Sequence, residues 1–541
     1  MNYIYTLAAL FFLLAFLLPN HYLPWLSVHQ DFSIFFASFL MMLGMINLKE
    51  IKIPHIAVFI FFISLVPLIY YLCGISYYLS EAIMYFLYLL VFSVLIITGF
   101  NLNNNPKKEN VISGFLIIII FASIVSVYIQ LRQWLLLSGS IWIVDLRPGG
   151  RPFANMAQPN QLCTLLLMGL MSLLYLYENK KINRLIVVLL SSYLLMGVVL
   201  TQSRTAWVFA LCFIVWWFIK IHRVKMRSST WHIFYFYIVF IVLWVGLPIL
   251  SDLIGVNTLS TLEERSFSGM QRLEMWKQIT HILMNSPWYG YGYGWGQLNP
   301  AQLLNNTDYI EYPVLGYSHN LFLDLLIWNG LIPGSFFIFL ILYFFVKLSL
   351  AVNKNNFLLL SLLGPIAVHS MFEYPFAYAY FLFPFGFVLG VLYAQYYSEK
   401  NIQINKNIYY GAVFIFLSGL IVFLFDYKKL SDEYQLMRYE NVQLESLKEN
   451  RIELNSIFLN HISEYMWFTR YPISSTVSDS DLERMRMLVY RFPDRPVLYK
   501  YIEILVMNQK EGEAKKILKI YNAFYQENIT ISYIQSLKRG K

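Results

Sequence analysis

Thirteen runs of mostly apolar residues, each 16–21 long, recur between residues 2 and 425, and they constrain this 541-residue chain more than any other feature. A run of that length spans the roughly 30 Å hydrocarbon core of a bilayer as a helix. Inside lipid every backbone N–H and C=O has to be satisfied within the segment, so the runs read as transmembrane helices. They fall at 2–19, 31–48, 54–73, 80–98, 111–131, 160–177, 183–200, 204–220, 232–250, 334–350, 357–372, 378–396 and 407–425. With 58% hydrophobic and 13% charged residues, the chain is neither an ordinary soluble domain nor a disordered one. The first run lacks a basic leader and a small-x-small cleavage site, so it reads as a retained helix rather than a signal peptide.

Charge in the connections sets orientation. Alternate loops hold fifteen Lys and Arg, including Lys107, Lys108, Lys180, Arg223 and Lys354, against seven in the others. The rule that cationic loops stay in the cytoplasm places the N-terminus there, and thirteen crossings leave the tail outside. The seven outer cations are Arg132, Arg147, Arg151, Arg204, Arg265, Arg272 and Lys277, confined to three loops. Six guanidinium groups in so few places suit an anion with several oxygens, such as a diphosphate. The competing reading is interfacial snorkelling of individual arginines. Cys73, Cys163 and Cys212 lie inside apolar segments without metal-ligand or disulfide spacing and read as buried thiols. The net charge of +9 reflects membrane orientation and gives no basis for nucleic-acid binding.

Three polar regions interrupt the membrane pattern on the outer side. Residues 132–159 end in Arg147-Pro148-Gly149-Gly150-Arg151-Pro152, which forbids a continuous helix, and Asn160 is in place to cap the next span. Residues 251–318 form the long loop. Within it Gly269–Leu283 has the spacing of a short amphipathic helix that puts Arg272 and Trp276 on one face. Ser318 can cap a second short helix running to Asn329, which leaves His319 at its exposed N-terminus. Residues 427–541 are the one soluble-looking region, with helical periodicity at 432–448, 481–491, 497–508 and 512–525. The last three resemble tetratricopeptide-type helix pairs. The division expected is therefore a membrane domain over 1–426, carrying the loop 251–318, and a small helical domain over 427–541.

Several residues in these regions could carry chemistry. Arg204 sits in a tight turn between two spans, at a helix N-terminus that already favours anions. An imidazole at His319 suits general-base work on a hydroxyl. Positions i+3 and i+4 from it are Phe322 and Leu323, so an orienting carboxylate would come from another segment, such as Glu373. Tyr374 stands beside Glu373, whereas Tyr378 and Tyr380 read as interfacial anchors. Gln158 and Asn160 flank a proline at a helix start, where caps compete with function as the explanation. The outer loops hold no Asp-x-Asp pair, and the first has only Asp31. Electrostatic catalysis by arginines without a metal is the reading preferred.

With these residues in place, the chain resembles the bacterial PglL-type protein O-oligosaccharyltransferases, relatives of the O-antigen ligases and O-antigen polymerases. The resemblance rests on Arg151-Pro152-Phe153-Ala154-Asn155-Met156-Ala157-Gln158-Pro159-Asn160, against a family run RP-x-GN-x-NQPN. It rests also on Ser203-Arg204-Thr205-Ala206-Trp207, on Arg272 and Trp276 followed by Pro287 and a Gly-rich stretch, on Ser318-His319-Asn320 with Gly330, and on Glu373-Tyr374-Pro375. Ala154 and Ala157 depart from the usual Gly and Asn, and Gln161 from the common His. The fold class implied is an all-α, polytopic inner-membrane helical bundle of about thirteen transmembrane helices, with a large periplasmic loop and a small C-terminal helical periplasmic domain.

What the resemblance implies is en bloc transfer of an oligosaccharide from undecaprenyl diphosphate to Ser or Thr of a periplasmic protein such as type IV pilin, with no cofactor or metal. His319 then corresponds to the activator of the hydroxyl, and Arg204 and Arg272 to the groups on the diphosphate. Gln158, Asn160, Arg151, Asn320, Glu373 and Tyr374 would line the substrate. Two alternatives stay open: a ligase or polymerase acting on a glycan, and a transporter of lipid-linked sugar. A transporter would carry charges near the bilayer midplane, and here the spans are nearly free of them.

Overall fold

In the computed structural model the described residues are 2–48, 50–103, 105, 107–137, 139–147, 149–256, 262–294, 296–305, 314–350, 353–398, 400–442, 454–474 and 476–539. Side chains of residues 262–271 are not among them, so Arg265 lies outside the description, as do Lys49, Pro148, Trp295 and the 443–448 part of one expected helix.

The chain is helical almost throughout. The first half contains α1 (Asn2–Leu17), α2 (Val28–Gly44), β1 (Ile51–Pro54), α3 (His55–Ser64), α4 (Val66–Leu72), α5 (Leu79–Leu102), α6 (Lys108–Trp134), α7 (Pro159–Glu178), α8 (Arg184–Thr201), α9 (Arg204–Ile221) and α10 (Thr230–Leu253). The second half continues with α11 (Leu262–Met284), α12 (Leu298–Asn305), α13 (Leu321–Asn329), α14 (Leu331–Ser349), α15 (Lys354–His369), α16 (Ala379–Tyr396), β2 (Asn401–Ile404) and α17 (Lys406–Asn441). The tail adds α18 (Asn460–Arg470), α19 (Asp479–Arg491), α20 (Arg495–Met507), α21 (Glu511–Tyr525) and α22 (Ile531–Arg539).

All thirteen expected segments are helical. Ten are long and apolar enough to cross a membrane, with α3 and α4 counted together, while α1, α2 and α15 are shorter at 16, 17 and 16 residues. Four local expectations change. Helix α11 begins seven residues before Gly269, because Leu262-Glu263-Glu264-Arg265 favours helix without adding to an apolar stripe. Helix α17 runs unbroken through residues 426 and 427, where the composition turns polar. Helices α18 and α22 appear outside the periodic windows. A two-stranded antiparallel ribbon, pairing Ile51 with Ile404 and Pro54 with Asn401, breaks the all-helical pattern. The Asn101 side chain lies along β1 like a further strand, accepting from the Lys52 N–H at 3.0 Å and donating to its carbonyl at 2.7 Å.

Two compact units result. The first comprises Met1–Phe62, Leu89–Arg265 and Ile341–Leu420. Its interior is apolar membrane helix, with α7 packed between α6, α8 and α15, and α1 against α2 and α6. Leu162, Leu165, Leu166, Leu194, Leu200 and Leu392 are fully buried there.

The second unit comprises Ile63–Tyr88, Ser266–Leu340 and Ile421–Lys541. Its core runs from the tail helices, with Leu488, Leu498, Tyr501 and Ile517, to Leu303 of α12 and Tyr77 of the segment before α5. Arg491 of α19 is fixed by a 2.6 Å ion pair with Glu81, and its carbonyl accepts from the Asn299 amide. Beside this pair His461 is 3.0 Å from Ser80 Oγ, and burial pushes the imidazole down to about 4. The tail is thus bound to segments distant in the sequence through a buried charge pair as well as apolar packing.

Candidate active site

The sequence-predicted residues fall into two groups, one in each unit. In the first unit they gather where α7 and α9 begin. Gln158, extended at φ −145°, precedes α7 with Pro159 at its first turn. Asn160 therefore does not cap α7; Gln158 holds the N-cap position and makes no side-chain cap bond. The Asn160 amide is spent on tertiary contacts instead. Its oxygen accepts from Ser203 Oγ at 2.8 Å and its nitrogen donates to Glu373 Oε1 at 3.3 Å. Three segments far apart in the chain are joined by this one side chain.

The Arg204 turn is as tight as its sequence predicts. Gln202 ends α8 in the left-handed conformation, Ser203 caps α9 by accepting from the Thr205 N–H, and Arg204 is exposed in the first turn. Arg151 Nη1 donates to the Gln202 carbonyl at 3.4 Å, so a second guanidinium stands at the same turn. Glu373 is buried and precedes a short 3-10 turn, Pro375–Ala377. The Tyr374 ring stacks on Tyr378, with centroids 5.7 Å apart. Tyr380 is not an interfacial anchor: it is fully buried and donates to Gln161 Oε1 at 2.6 Å. Where the family commonly has His, Gln161 supplies that acceptor.

Ala154 and Ala157 both adopt positive φ, +54° and +58°. Gly and Asn, the residues usual in the family run, are the types that tolerate this region, so the departure adds backbone strain. An apolar cavity of about 130 Å³ lies between α7, α8, α9 and α10, lined among others by Leu195, Val198, Phe209 and Phe240. It reaches Ala206, two residues from Arg204.

In the second unit the site is a turn. His319 has φ +56°, a left-handed conformation uncommon outside Gly, Asn and Asp. Helix α13 is capped by Asn320, not by Ser318; the Asn320 side chain accepts from the N–H groups of Phe322 and Leu323. His319 is accordingly half-buried just ahead of the helix rather than inside its first turn. Ser318 is wholly buried, its hydroxyl donating to the Asn320 carbonyl. The Ser318 carbonyl accepts from Trp276 Nε1 at 3.0 Å, which joins α11 to the turn. Arg272 is half-buried one helical turn before Trp276 on the same face of α11. The far end of α13 is held by the glycine-aromatic run: the N–H groups of Tyr291 and Gly292 reach the carbonyls of Ile327 and Trp328. A Cβ on Gly290 would strike the backbone of Trp328 and Gly330, so this approach requires glycine.

The residue that sequence reasoning missed is Asp324. Its carboxylate is 2% exposed and accepts from the Ser318 N–H at 2.9 Å. Burial pushes it up to about 6, while its Ser318 hydrogen bonds and the neighbouring His319 pull it back. It lies five residues after His319, outside the i+3 and i+4 helical spacings, in the first turn of α13, while His319 stands ahead of the cap. The turn brings the Asp324 carboxylate near enough to His319 to interact with it electrostatically, and a negative charge near an imidazole stabilises it once protonated.

Three family models match parts of the chain: a protein glycosylation ligase model at 152–177, an O-antigen ligase model at 185–339, and the C-terminal model of a virulence-factor membrane-bound polymerase at 357–531. The first two cover the segment from Pro152 through Asn160, the Arg204 turn, Arg272 and His319. Two relatives from Acinetobacter baylyi align over most of their length. A general O-oligosaccharyltransferase is 25% identical over 98% of this chain and 94% of its own. A ComP-specific O-oligosaccharyltransferase is 29% identical over 89% of this chain and 87% of its own. No solved structure matches.

Proposed function

We propose that this chain, which resembles the PglL-type protein O-oligosaccharyltransferases and O-antigen ligases, transfers a preassembled oligosaccharide from undecaprenyl diphosphate to a Ser or Thr hydroxyl of a periplasmic protein such as a type IV pilin. The observation that carries the reading is the His319 turn, an imidazole backed by a buried carboxylate on the loop that also bears Arg272.

The proposed step is a direct displacement. The acceptor oxygen forms a bond to the anomeric carbon as the bond from that carbon to the diphosphate oxygen breaks. His319 takes the hydroxyl proton, and the Asp324 charge stabilises the imidazolium that results. Arg204 and Arg272 bind the diphosphate and neutralise the charge it gains on leaving, without a metal. Arg151, Gln158, Asn160, Asn320, Glu373 and Tyr374 hold the donor's sugar and the loops around it. The apolar cavity beside Ala206 accepts part of the polyprenyl tail. In this reading the cell inner membrane holds the chain with its N-terminus in the cytoplasm, and the site and tail face the periplasm.

The test is co-expression with a lipid-linked oligosaccharide and a candidate pilin, followed by intact mass of the pilin. The expected result is a glycan-sized gain that needs His319 and Arg272. Glycan appearing on lipid A core or on a longer glycan, with the pilin unmodified, would favour the ligase or polymerase activity instead.

A further inference from the structure

A second hollow in the first unit, about 480 Å³, is built for an occupant that the transfer reaction does not supply. Protein interiors seldom leave voids larger than a water molecule. This one arises because small residues face each other across three helices: Ala8 and Ala9 of α1, Ala37 and Ser38 of α2, and Gly114 of α6. A Cβ placed on Gly114 meets nothing within 4 Å. The deeper walls are Phe12, Ile34, Phe115, Ile118, Phe383 and Phe387.

The mouth differs from the depth. Asn105, Lys107 and Asn110 surround it together with Tyr5 and Thr6 near the chain's start. Lys107 is exposed at the N-terminus of α6, where the helix dipole adds to its charge and to that of Lys108. Glu109, the acidic residue of that first turn, is not on this face. The α6 positions on the wall, 107, 110, 111, 114, 115 and 118, form one helical stripe. Eleven residues of helix rise roughly 16 Å, which is about half of the ~30 Å hydrocarbon core. The hollow is therefore one leaflet deep, and it opens on the side that the lysine-rich loops assign to the cytoplasm.

We propose that this hollow binds one anionic glycerophospholipid of the cytoplasmic leaflet, its phosphate at Lys107, Asn105 and Asn110 and an acyl chain between α1, α2 and α6. A basic pocket between membrane helices on the cytoplasmic side has the chemistry for such a headgroup. The single-leaflet depth fits an acyl chain rather than a passage across the membrane. The proposal goes beyond glycan transfer and uses only the orientation of the loops.

The test is native mass spectrometry of the full chain, purified and supplied with equal phosphatidylglycerol and phosphatidylethanolamine. The wild type should retain phosphatidylglycerol with a preference of about fivefold, the effect of one lysine near an anionic headgroup. Lys107→Gln should bring the two lipids to parity. Gly114→Leu, whose side chain enters empty space, should lose both lipids while its circular dichroism stays unchanged. If Gly114→Leu does not fold, the Lys107→Gln result decides alone. Equal retention by the wild type, unchanged retention in the variants, or polyprenyl phosphate in place of phospholipid would overturn the proposal. Because the readout is bound lipid, failure of glycan transfer leaves this result untouched.

Discussion

The two groups of candidate residues, one in each unit, are built in opposite ways. Around Asn160, side chains from the starts of α7 and α9 and from the loop before α16 meet through hydrogen bonds, each residue contributed by a separate helix or loop. Around His319, Ser318, Asn320 and Asp324 interlock within a few residues of one turn, and Trp276 of α11 joins them from elsewhere in the chain. The first arrangement depends on how membrane helices pack. The second depends on one left-handed residue and a helix cap. Damage to the first should therefore register mainly as lost stability, and damage to the second mainly as lost chemistry.

The largest expected effect breaks the comparison on the chemical side. His319→Ala should slow transfer by about 10²–10⁴-fold, the usual worth of a general base, with little change in the thermal midpoint. A normal rate of pilin modification would remove His319 from the mechanism.

Asp324→Asn sharpens the contrast, because activity and stability should move in opposite directions. Burial raises this carboxyl from 3.8 to about 6. The folded state therefore favours the protonated form, and the stability this confers is full below pH 3.8 and lost as pH rises through about 6. Asparagine carries no such loss and keeps an acceptor for the Ser318 N–H. At pH 7 the variant should be more stable by up to about 3 kcal/mol, narrowing to nothing near pH 4, while transfer falls. Equal thermal midpoints across that range would contradict the assignment.

Asn160→Ala tests the other group. It leaves Glu373 buried without this donor, which should cost about 1–3 kcal/mol, seen as a lowered thermal midpoint in detergent. The smallest effect is a gain. Ala157 is exposed at φ +58°, so Ala157→Gly should stabilise the chain by about 1 kcal/mol by relieving the left-handed strain.

The membrane helices are legible because lipid leaves a long apolar run one structure, and the Arg204 turn because two spans leave only Thr201, Gln202 and Ser203 to join them. Other features depended on contacts that no local pattern encodes. Asn160 sits where caps sit, yet its amide serves Ser203 and Glu373. Tyr380 has the look of an interfacial anchor, yet packing buries it. Asp324 is spaced wrongly for a helical partner of His319, and only the left-handed residue before the cap brings it back. Helix α18 has a polar sequence, and its burial of Phe468 in the tail core shows only once the tail is folded.

The small ribbon of β1 and β2 bears on how the chain is made. About 350 residues separate Ile51 from its partner Ile404. At ribosomal speeds of roughly 5–20 residues per second, β1 waits some tens of seconds for β2. Asn101 is synthesised only about 50 residues after Lys52 and takes both of that residue's backbone groups on the outer edge. During the wait, the nascent strand already has one side closed to pairing with a neighbouring chain.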